Sequence, residues 1–106
     1  MHNRYITVIK NNQGMRDYEY GIDASPHFNE FELEEDEFET IALSGFWQRI
    51  NEKCELLIDD YESEMIPNNK IDECISIYDE LKLSQDSVLY KALVNARSSV
   101  ALALDF

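Results

Sequence analysis

The feature that most constrains the fold is a run of apolar residues with helical spacing in the middle of the chain. Six of them recur at intervals of four, four, three, four and four residues: Phe46, Ile50, Cys54, Leu57, Tyr61 and Met65. This spacing places them on one face of a helix, and that face must be buried against other elements. Pro67 ends the pattern, because proline lacks the N–H that a continuing helix requires. We therefore expect a core built around one long amphipathic helix.

Three further helices are predicted around this one. Asn68 or Asn69 can cap a helix after the proline, and Ser84 can cap another. Their apolar stripes are Ile71, Cys74, Ile75, Tyr78 and Leu81 in the first, and Val88, Leu89, Ala92, Leu93 and Ala96 in the second. A shorter helix precedes the long one and holds the acids of 34–37 in its first turn, where the helix macrodipole favours negative charge.

The N-terminal residues predict a β-hairpin over about 4–22. Residues 4–10 are rich in β-branched and aromatic types, which favour a strand. The second strand would present alternate residues to one face: Tyr18, Tyr20 and Ile22. Between the two strands, residues 11–14 read Asn-Asn-Gln-Gly, a turn signal in which Gly14 is free to adopt positive φ.

Together these elements predict an α+β fold, an N-terminal β-hairpin packed on three to four mostly antiparallel helices, and predominantly helical. A length of 106 residues suits a single domain, 1–106. The acidic connector and the helices would occupy about 34–98. Residues 28–33 can form a short strand or an irregular segment, and the tail, 99–106, can prolong the last helix or form a last strand.

The charge of the chain is strongly unbalanced. Nine basic residues face 22 acidic ones, which gives a formal net charge of −13. No Lys or Arg occurs between Asp17 and Gln48. Binding to nucleic acid or to an anionic membrane is disfavoured, because both require basic residues. A basic protein partner is favoured, since the acidic surface would attract and steer it. The alternative is that the acids form a solvated surface and serve only solubility.

The histidines and glycines form no recognised catalytic pattern. His2 and His27 accompany no nucleophile motif, and the three glycines are too scattered for a phosphate-binding loop. We therefore expect no enzymatic activity, no catalytic residue, no metal and no cofactor. A weak site for a divalent cation is the alternative role of four acids on the long predicted helix: Asp59, Asp60, Glu62 and Glu64.

The two cysteines are predicted to be buried free thiols. Cys54 and Cys74 fall on apolar stripes, and free cysteine is among the most buried residue types. In a helical hairpin that turns near Pro67 they would lie at different heights, beyond the Cα separation of about 7 Å that a disulfide tolerates. Reduced thiols and the lack of a signal-peptide pattern favour a cytoplasmic protein.

A short acidic and aromatic segment carries a resemblance to a known class of proteins. It reads Leu57-Ile58-Asp59-Asp60-Tyr61-Glu62-Ser63-Glu64-Met65-Ile66-Pro67 and follows a predicted helix that contains Trp47. Over about residues 38–83 the chain resembles small bacterial immunity proteins of polymorphic toxin systems, including contact-dependent growth inhibition. The resemblance implies a cytoplasmic inhibitor that binds one secreted toxin domain, often a basic nuclease, and blocks its active site or its substrate path.

The expected partner-binding residues form two clusters whose carboxylates would mimic phosphate and pair with Lys and Arg of the toxin. These residues are Glu34, Glu35, Asp36, Glu37 and Glu39 in the first cluster, and Asp59, Asp60, Tyr61, Glu62 and Glu64 in the second. A tyrosine of the N-terminal hairpin can replace Tyr61 as the aromatic anchor, because tyrosine flanked by carboxylates suits a protein interface. An acidic adaptor or DNA-mimic that binds a basic housekeeping protein is the alternative function.

Overall fold

The computed structural model describes residues 4–22, 25–56, 58 and 63–106, and in these ranges it contains five helices and four strands. In chain order they are β1 (Arg4–Ile9), α1 (Asn12–Glu19), β2 (Phe28–Leu33), α2 (Glu35–Leu43), α3 (Phe46–Cys54), β3 (Ser63–Pro67), α4 (Asn68–Glu80), α5 (Val88–Ala96) and β4 (Ala101–Asp105). All strand pairs are antiparallel, and the sheet order is β2-β1-β4-β3. Helix predominates over strand among the described residues, which confirms the α+β class and the predominance of helix.

Helices α2 to α5 bury their apolar residues against one face of the sheet and so form the main core. The sheet contributes Ile6, Val8, Leu33, Ile66, Leu102 and Leu104. Aromatic rings fill one end of this core, where Phe106 packs against Phe38 and Trp47 with centroid distances of 5.3 Å. The longest helix, α4, has 13 residues. None of the helices in the described ranges has the length and apolar character needed to cross a lipid bilayer.

The predicted N-terminal hairpin is wrong in its second half, where the structure has helix α1. Asn11 is the N-cap of this helix, and its side-chain oxygen accepts a hydrogen bond from the Gly14 N–H at 2.9 Å. Asparagine favours turns and N-caps alike, because its side chain binds nearby backbone groups in both. Gly14 does not adopt positive φ. A Cβ at this position would lie 2.9 Å from the His27 carbonyl oxygen, so glycine allows α1 to pack closely against the chain that enters β2.

The long helix predicted over 46–65 is also wrong, because α3 ends at Cys54. Glu55 has φ 57° and ψ 44°, a left-handed conformation that terminates the helix. The Asn51 side chain then holds the departing chain. It accepts a hydrogen bond from the Ile58 N–H at 2.9 Å and donates one to the Ile58 carbonyl at 3.0 Å. The last residue of the predicted stripe lies in strand β3 instead.

Helices α4 and α5 follow their predicted stripes, but their capping residues differ from the prediction. The Asn68 side chain does not cap α4; it donates hydrogen bonds to two carbonyl oxygens at the C-terminal end of α5, at 3.3 and 3.1 Å. Ser87, and not Ser84, caps α5, since its hydroxyl oxygen accepts a hydrogen bond from the Tyr90 N–H at 3.0 Å. With the unpredicted α1 included, the described ranges contain five helices, more than the three to four expected.

The cysteines are buried free thiols, as predicted, but the helical hairpin that was expected to separate them does not form. The Sγ atoms of Cys54 and Cys74 lie 4.0 Å apart. Because α3 ends at Cys54, this residue lies beside α4 and not along a helix that continues toward Pro67. Burial raises the pKa of the Cys74 thiol far above its ordinary value, and the neighbouring Cys54 raises it further.

The two segments that the sequence left open are both strands. Residues 28–33 form β2, which pairs with β1 and lies at one edge of the sheet. In the tail, residues 101–105 form β4, which pairs with β1 on one side and with β3 on the other. β4 is therefore a central strand, and four of its five residues are buried.

Candidate functional site

Two of the five acids predicted in the first cluster stabilise the fold. Glu35 forms an ion pair with Arg4, whose side chain is only 4 % exposed. The Arg4 guanidinium also lies over the Phe38 ring, 3.8 Å from its centroid. A buried guanidinium requires a counter-ion, because an unpaired charge is costly inside a protein. The Glu35 carboxylate is therefore committed to Arg4.

Glu37 also has a partner within the fold, but this partner is a backbone N–H group. Its two carboxylate oxygens lie 3.1 and 3.2 Å from the backbone nitrogen of Val88, the first residue of α5. The carboxylate thus accepts an N–H hydrogen bond at the start of α5, where the helix macrodipole favours negative charge. Glu37 and Ser87 both stabilise the beginning of this helix from outside it.

The other three acids of the first cluster, Glu34, Asp36 and Glu39, are exposed. Asp36 and Glu37 line a groove of about 390 Å³, here called the α2 groove, together with Thr40, Tyr78, Asp86 and Ser87. The Tyr78 hydroxyl lies 2.6 Å from the Ser84 carbonyl oxygen, to which it donates, and 2.5 Å from the Ser87 hydroxyl. Burial raises the pKa of Tyr78, which keeps this hydroxyl protonated and able to donate.

Most of the second predicted cluster lies outside the described residues. This applies to Asp59, Asp60, Tyr61 and Glu62, and to Leu57 of the predicted stripe. Glu64 is described and lies on β3, directly opposite Leu104 of β4. Its carboxylate accepts a hydrogen bond from the Met65 N–H at 2.9 Å. The helix that was expected to carry this cluster is therefore replaced, at Glu64, by a strand.

The sheet has a second face, opposite the main core, and α1 covers only part of it. Strand register arranges the residues of this face in rows, because directly paired residues point to the same side. The innermost row contains Phe28, Ile9 and Ala101; the middle row contains Glu30, Thr7, Ala103 and Met65; the outer row contains Glu32, Tyr5 and Asp105. Met15 and Tyr18 of α1 pack over the buried Ile9, Ala101 and Ala103. The outer row remains exposed.

A groove of about 520 Å³ lies where the cover of α1 ends, and we call it the sheet groove. It is lined by Tyr5 and Thr7 of β1, Phe28 and Glu30 of β2, Asp105 of β4 and Tyr18 of α1. Tyr5 is 36 % exposed and stands between Glu32 on one neighbouring strand and Asp105 on the other. Directly paired residues have their Cβ atoms about 4.5–5.5 Å apart, so carboxylates flank this ring on both sides.

The rim of the sheet groove is held by the residues that follow α1. Gly21, with φ 73°, and the exposed Ile22 form this rim, and the Ile22 N–H donates to the Asp17 carbonyl oxygen at 2.9 Å. The Asp17 carboxylate accepts hydrogen bonds from the Ser25 hydroxyl at 2.6 Å and from the Gln13 amide at 3.0 Å. These two hydrogen bonds hold the pKa of Asp17 below its ordinary value. The ionised carboxylate thus fixes the chain on both sides of the rim.

Negative charge dominates both grooves. Among the described residues that line them there is no Lys or Arg. In the sheet groove, burial raises the pKa of Tyr18, and the negative charge of Asp105 raises it further. The described part of the chain holds no group of three His, Cys, Asp or Glu side chains placed to bind a metal ion together. Aromatic rings beside carboxylates can instead bind an organic cation.

Sequence reasoning did not include the carboxylates of the sheet groove among the site residues. The alternation of Glu30 and Glu32 with the more buried Phe31 and Leu33 is a strand signal that could have placed both acids on one face. No local signal could have placed Asp105 beside Tyr5, because the two are at opposite ends of the chain.

Comparison of the chain with protein-family models, with curated proteins and with solved structures finds no match.

Proposed function

We propose that this chain is an immunity protein that binds a cognate secreted toxin domain with a basic surface and neutralises it by steric and electrostatic occlusion. The observation that carries the proposal is the pair of acidic grooves, whose described lining contains carboxylates and no Lys or Arg. A nuclease domain must be locally basic to hold its nucleic-acid substrate. Such a surface is complementary to these grooves. In this proposal, the protein binds the toxin domain in the cytoplasm after the toxin has entered the cell.

Only some acids of the first cluster are proposed to bind the toxin, because the others have partners within the fold. Glu35 and Glu37 have internal partners. Glu34, the N-cap of α2, and Asp36 and Glu39, on the helix, are exposed, and Asp36 lines the α2 groove. Carboxylates that the fold does not require are the ones that a partner can use. We therefore assign toxin binding to the exposed acids of α2 and to the sheet groove.

The experiment begins with capture of partners by the tagged protein in the cells from which it comes, followed by expression of the captured domain alone. We expect a basic domain that arrests growth by itself and no longer does so when this protein is co-expressed. If that domain is a nuclease, the purified protein should inhibit nucleic-acid cleavage at a one-to-one ratio.

Two charge-matched triple variants test where the toxin binds. The first is Glu34→Gln/Asp36→Asn/Glu39→Gln, at the N-cap of α2 and on the helix. The control is Glu52→Gln/Glu73→Gln/Asp79→Asn, which neutralises exposed acids of α3 and α4 that line neither groove. We expect weaker binding for the first variant, by at least about threefold at low salt, and little change for the second.

A harmless basic housekeeping protein as the captured partner would refute the immunity function. It would favour the acidic adaptor or DNA-mimic, which needs the same surface. Equal loss of binding in both triple variants would show that only net charge matters, and would refute the assignment to α2.

A further inference from the structure

The two edges of the sheet differ in what they offer to another strand. Strand β2 lies at one edge and β3 at the other. In an edge strand, the backbone N–H and C=O groups of alternate residues point away from the sheet. The Lys10 N–H donates to the His27 carbonyl oxygen at 2.9 Å, which fixes this alternation in β2. The outward residues of β2 are therefore Phe28, Glu30 and Glu32.

The β3 edge is closed to strand pairing at two positions. The Asn68 N–H donates to the Val100 carbonyl oxygen at 3.0 Å, which fixes the alternation in β3. Met65 and Pro67 therefore point outward. The Met65 N–H is occupied by the Glu64 carboxylate at 2.9 Å, and Pro67 has no N–H to donate. Blocking of this kind keeps an edge strand from pairing with another chain.

The β2 edge is not closed in this way. Among the described residues, no group bonds to the outward backbone N–H and C=O groups of Glu30 and Glu32. Both side chains are exposed. We infer that the β2 edge binds an extended segment of the protein partner as an added antiparallel strand, with Lys or Arg at two alternate positions. The inference rests on the proposed function in assigning that segment to the toxin domain.

The register of the added strand determines which side chains it needs. Its backbone would form four hydrogen bonds, two with Glu30 and two with Glu32, because each offers one N–H and one C=O. Partner residues directly opposite these acids would have Cβ atoms about 4.5–5.5 Å away, so basic side chains there can pair with the carboxylates. The residue between them would lie beside Phe31, which packs against the main core. The segment is therefore basic, apolar and basic in turn.

The charge of β2 favours a basic strand over a second copy of this chain. If two β2 strands paired antiparallel about Phe31, Glu30 of each copy would face Glu32 of the other. Like charges directly opposite each other are destabilising, and charged edge residues are a common protection against self-pairing. A basic strand replaces both repulsions with attractions. The net charge of −13 would also steer such a partner toward this protein.

Binding of short peptides to the isolated protein tests this inference without any toxin. The probe is acetyl-Thr-Arg-Val-Arg-Thr-amide, and we expect saturable NMR shifts and slower hydrogen exchange at the Glu30 and Glu32 amides. In the inferred register, the arginine N–H groups of the probe face β2 and the valine N–H points away. N-methylation of one arginine should therefore weaken binding at least about fivefold, because a hydrogen bond is lost and the methyl group meets β2. N-methylation of the valine should change binding by less than about twofold.

Two double variants with the same change in net charge locate the binding of the probe. Glu30→Gln/Glu32→Gln should weaken it by at least about threefold. Glu34→Gln/Asp36→Asn, outside β2, should leave it within about twofold. Amide spectra of each variant verify that it is folded. In the complex with the captured toxin domain, hydrogen exchange at the Glu30 and Glu32 amides should slow.

The inference and the proposed function can fail separately. Absence of saturable shifts, equal binding of the two methylated peptides, or equal losses in the two double variants would overturn strand addition at β2. Exchange at the Glu30 and Glu32 amides that slows as the protein alone is concentrated would show self-pairing and would also overturn the choice of partner. A toxin complex with unchanged exchange at these amides would overturn the inference, while the immunity function would stand. Strand addition of the peptide in a protein that neutralises no toxin would support the docking edge and refute the proposed function.

Discussion

Replacement of Glu35 by glutamine tests whether this acid belongs to the fold or to the partner-binding surface. The substitution keeps the size of the side chain and removes the negative charge that faces Arg4. The Arg4 side chain is 4 % exposed, and among the described residues its Nε atom has no hydrogen-bond partner. Without Glu35, the guanidinium would keep its contact with the Phe38 ring but lose its counter-ion.

The loss of stability expected for Glu35→Gln depends on how deeply the Arg4 and Glu35 side chains are buried. Breaking a fully buried ion pair on one side costs about 3–5 kcal/mol. The Glu35 side chain is 55 % exposed, so water can replace part of what the carboxylate provides, and the cost should be smaller. We expect Glu35→Gln to lower the free energy of unfolding by about 1–3 kcal/mol, the range for leaving a buried donor unsatisfied. For a chain of this size, that corresponds to a fall in Tm of about 4–12 °C.

Thermal and urea unfolding, followed by circular dichroism, measure this change. Glu34→Gln is the matched control, because Glu34 is the adjacent residue, is exposed and forms no side-chain cap hydrogen bond. We expect its effect to stay within about 0.5 kcal/mol. In an Arg4→Met background, Glu35→Gln should cost much less than in the wild type. Equal effects of the two glutamine substitutions, or the same cost in both backgrounds, would refute the claim that Glu35 is committed to Arg4.

Three further predictions concern groups inside the fold. Glu37→Ala should destabilise the protein by about 1 kcal/mol in urea unfolding, because α5 loses an N-terminal acceptor, whereas Glu39→Ala should cost less; equal costs would contradict this. Because burial raises the pKa of Tyr78 in the folded state, its contribution to stability should be complete below the unfolded pKa of about 10 and be lost at higher pH. Thermal melting between pH 8 and 11 should therefore show a smaller loss of stability with rising pH for Tyr78→Phe than for the wild type. An equal loss in the two proteins would contradict this role of Tyr78. Cys54 and Cys74 should react with iodoacetamide at pH 8 only after unfolding, and rapid labelling of the native protein would disprove their burial.

Local patterns predicted the elements whose boundaries depend on local residues. The stripes of α4 and α5 have clear helical periods, and the acids before Phe38 identify the first turn of α2. The predictions failed where a local signal had two meanings. Asn11 serves as an N-cap where a turn was expected, and the side chain of Asn51 binds a segment seven residues away that periodicity assigned to a helix.

The acidic character of the candidate site could be predicted from the sequence, but the identity of the acids that belong to it could not. Charge alone identified an acidic protein and led to the prediction of a basic partner. It could not separate Glu35 and Glu37 from their neighbours, because their partners Arg4 and Val88 are 31 and 51 residues away in the sequence. Pairing of β1 with β4 brings Tyr5 beside Asp105, and such long-range contacts leave no periodic trace in the chain.

The position of β4 in the sheet has a consequence for the way this protein folds. β1 and β3 do not pair with each other; both pair with β4, the last element in the chain. Closing the pair between Tyr5 and Asp105 costs loop entropy before any contact compensates it, and contacts of such high sequence separation slow folding. A chain emerging from the ribosome can form α2 and α3 early, but Tyr5 acquires its second flanking carboxylate only after β4 has been synthesised. The exposed face of the sheet would therefore be completed in one late step.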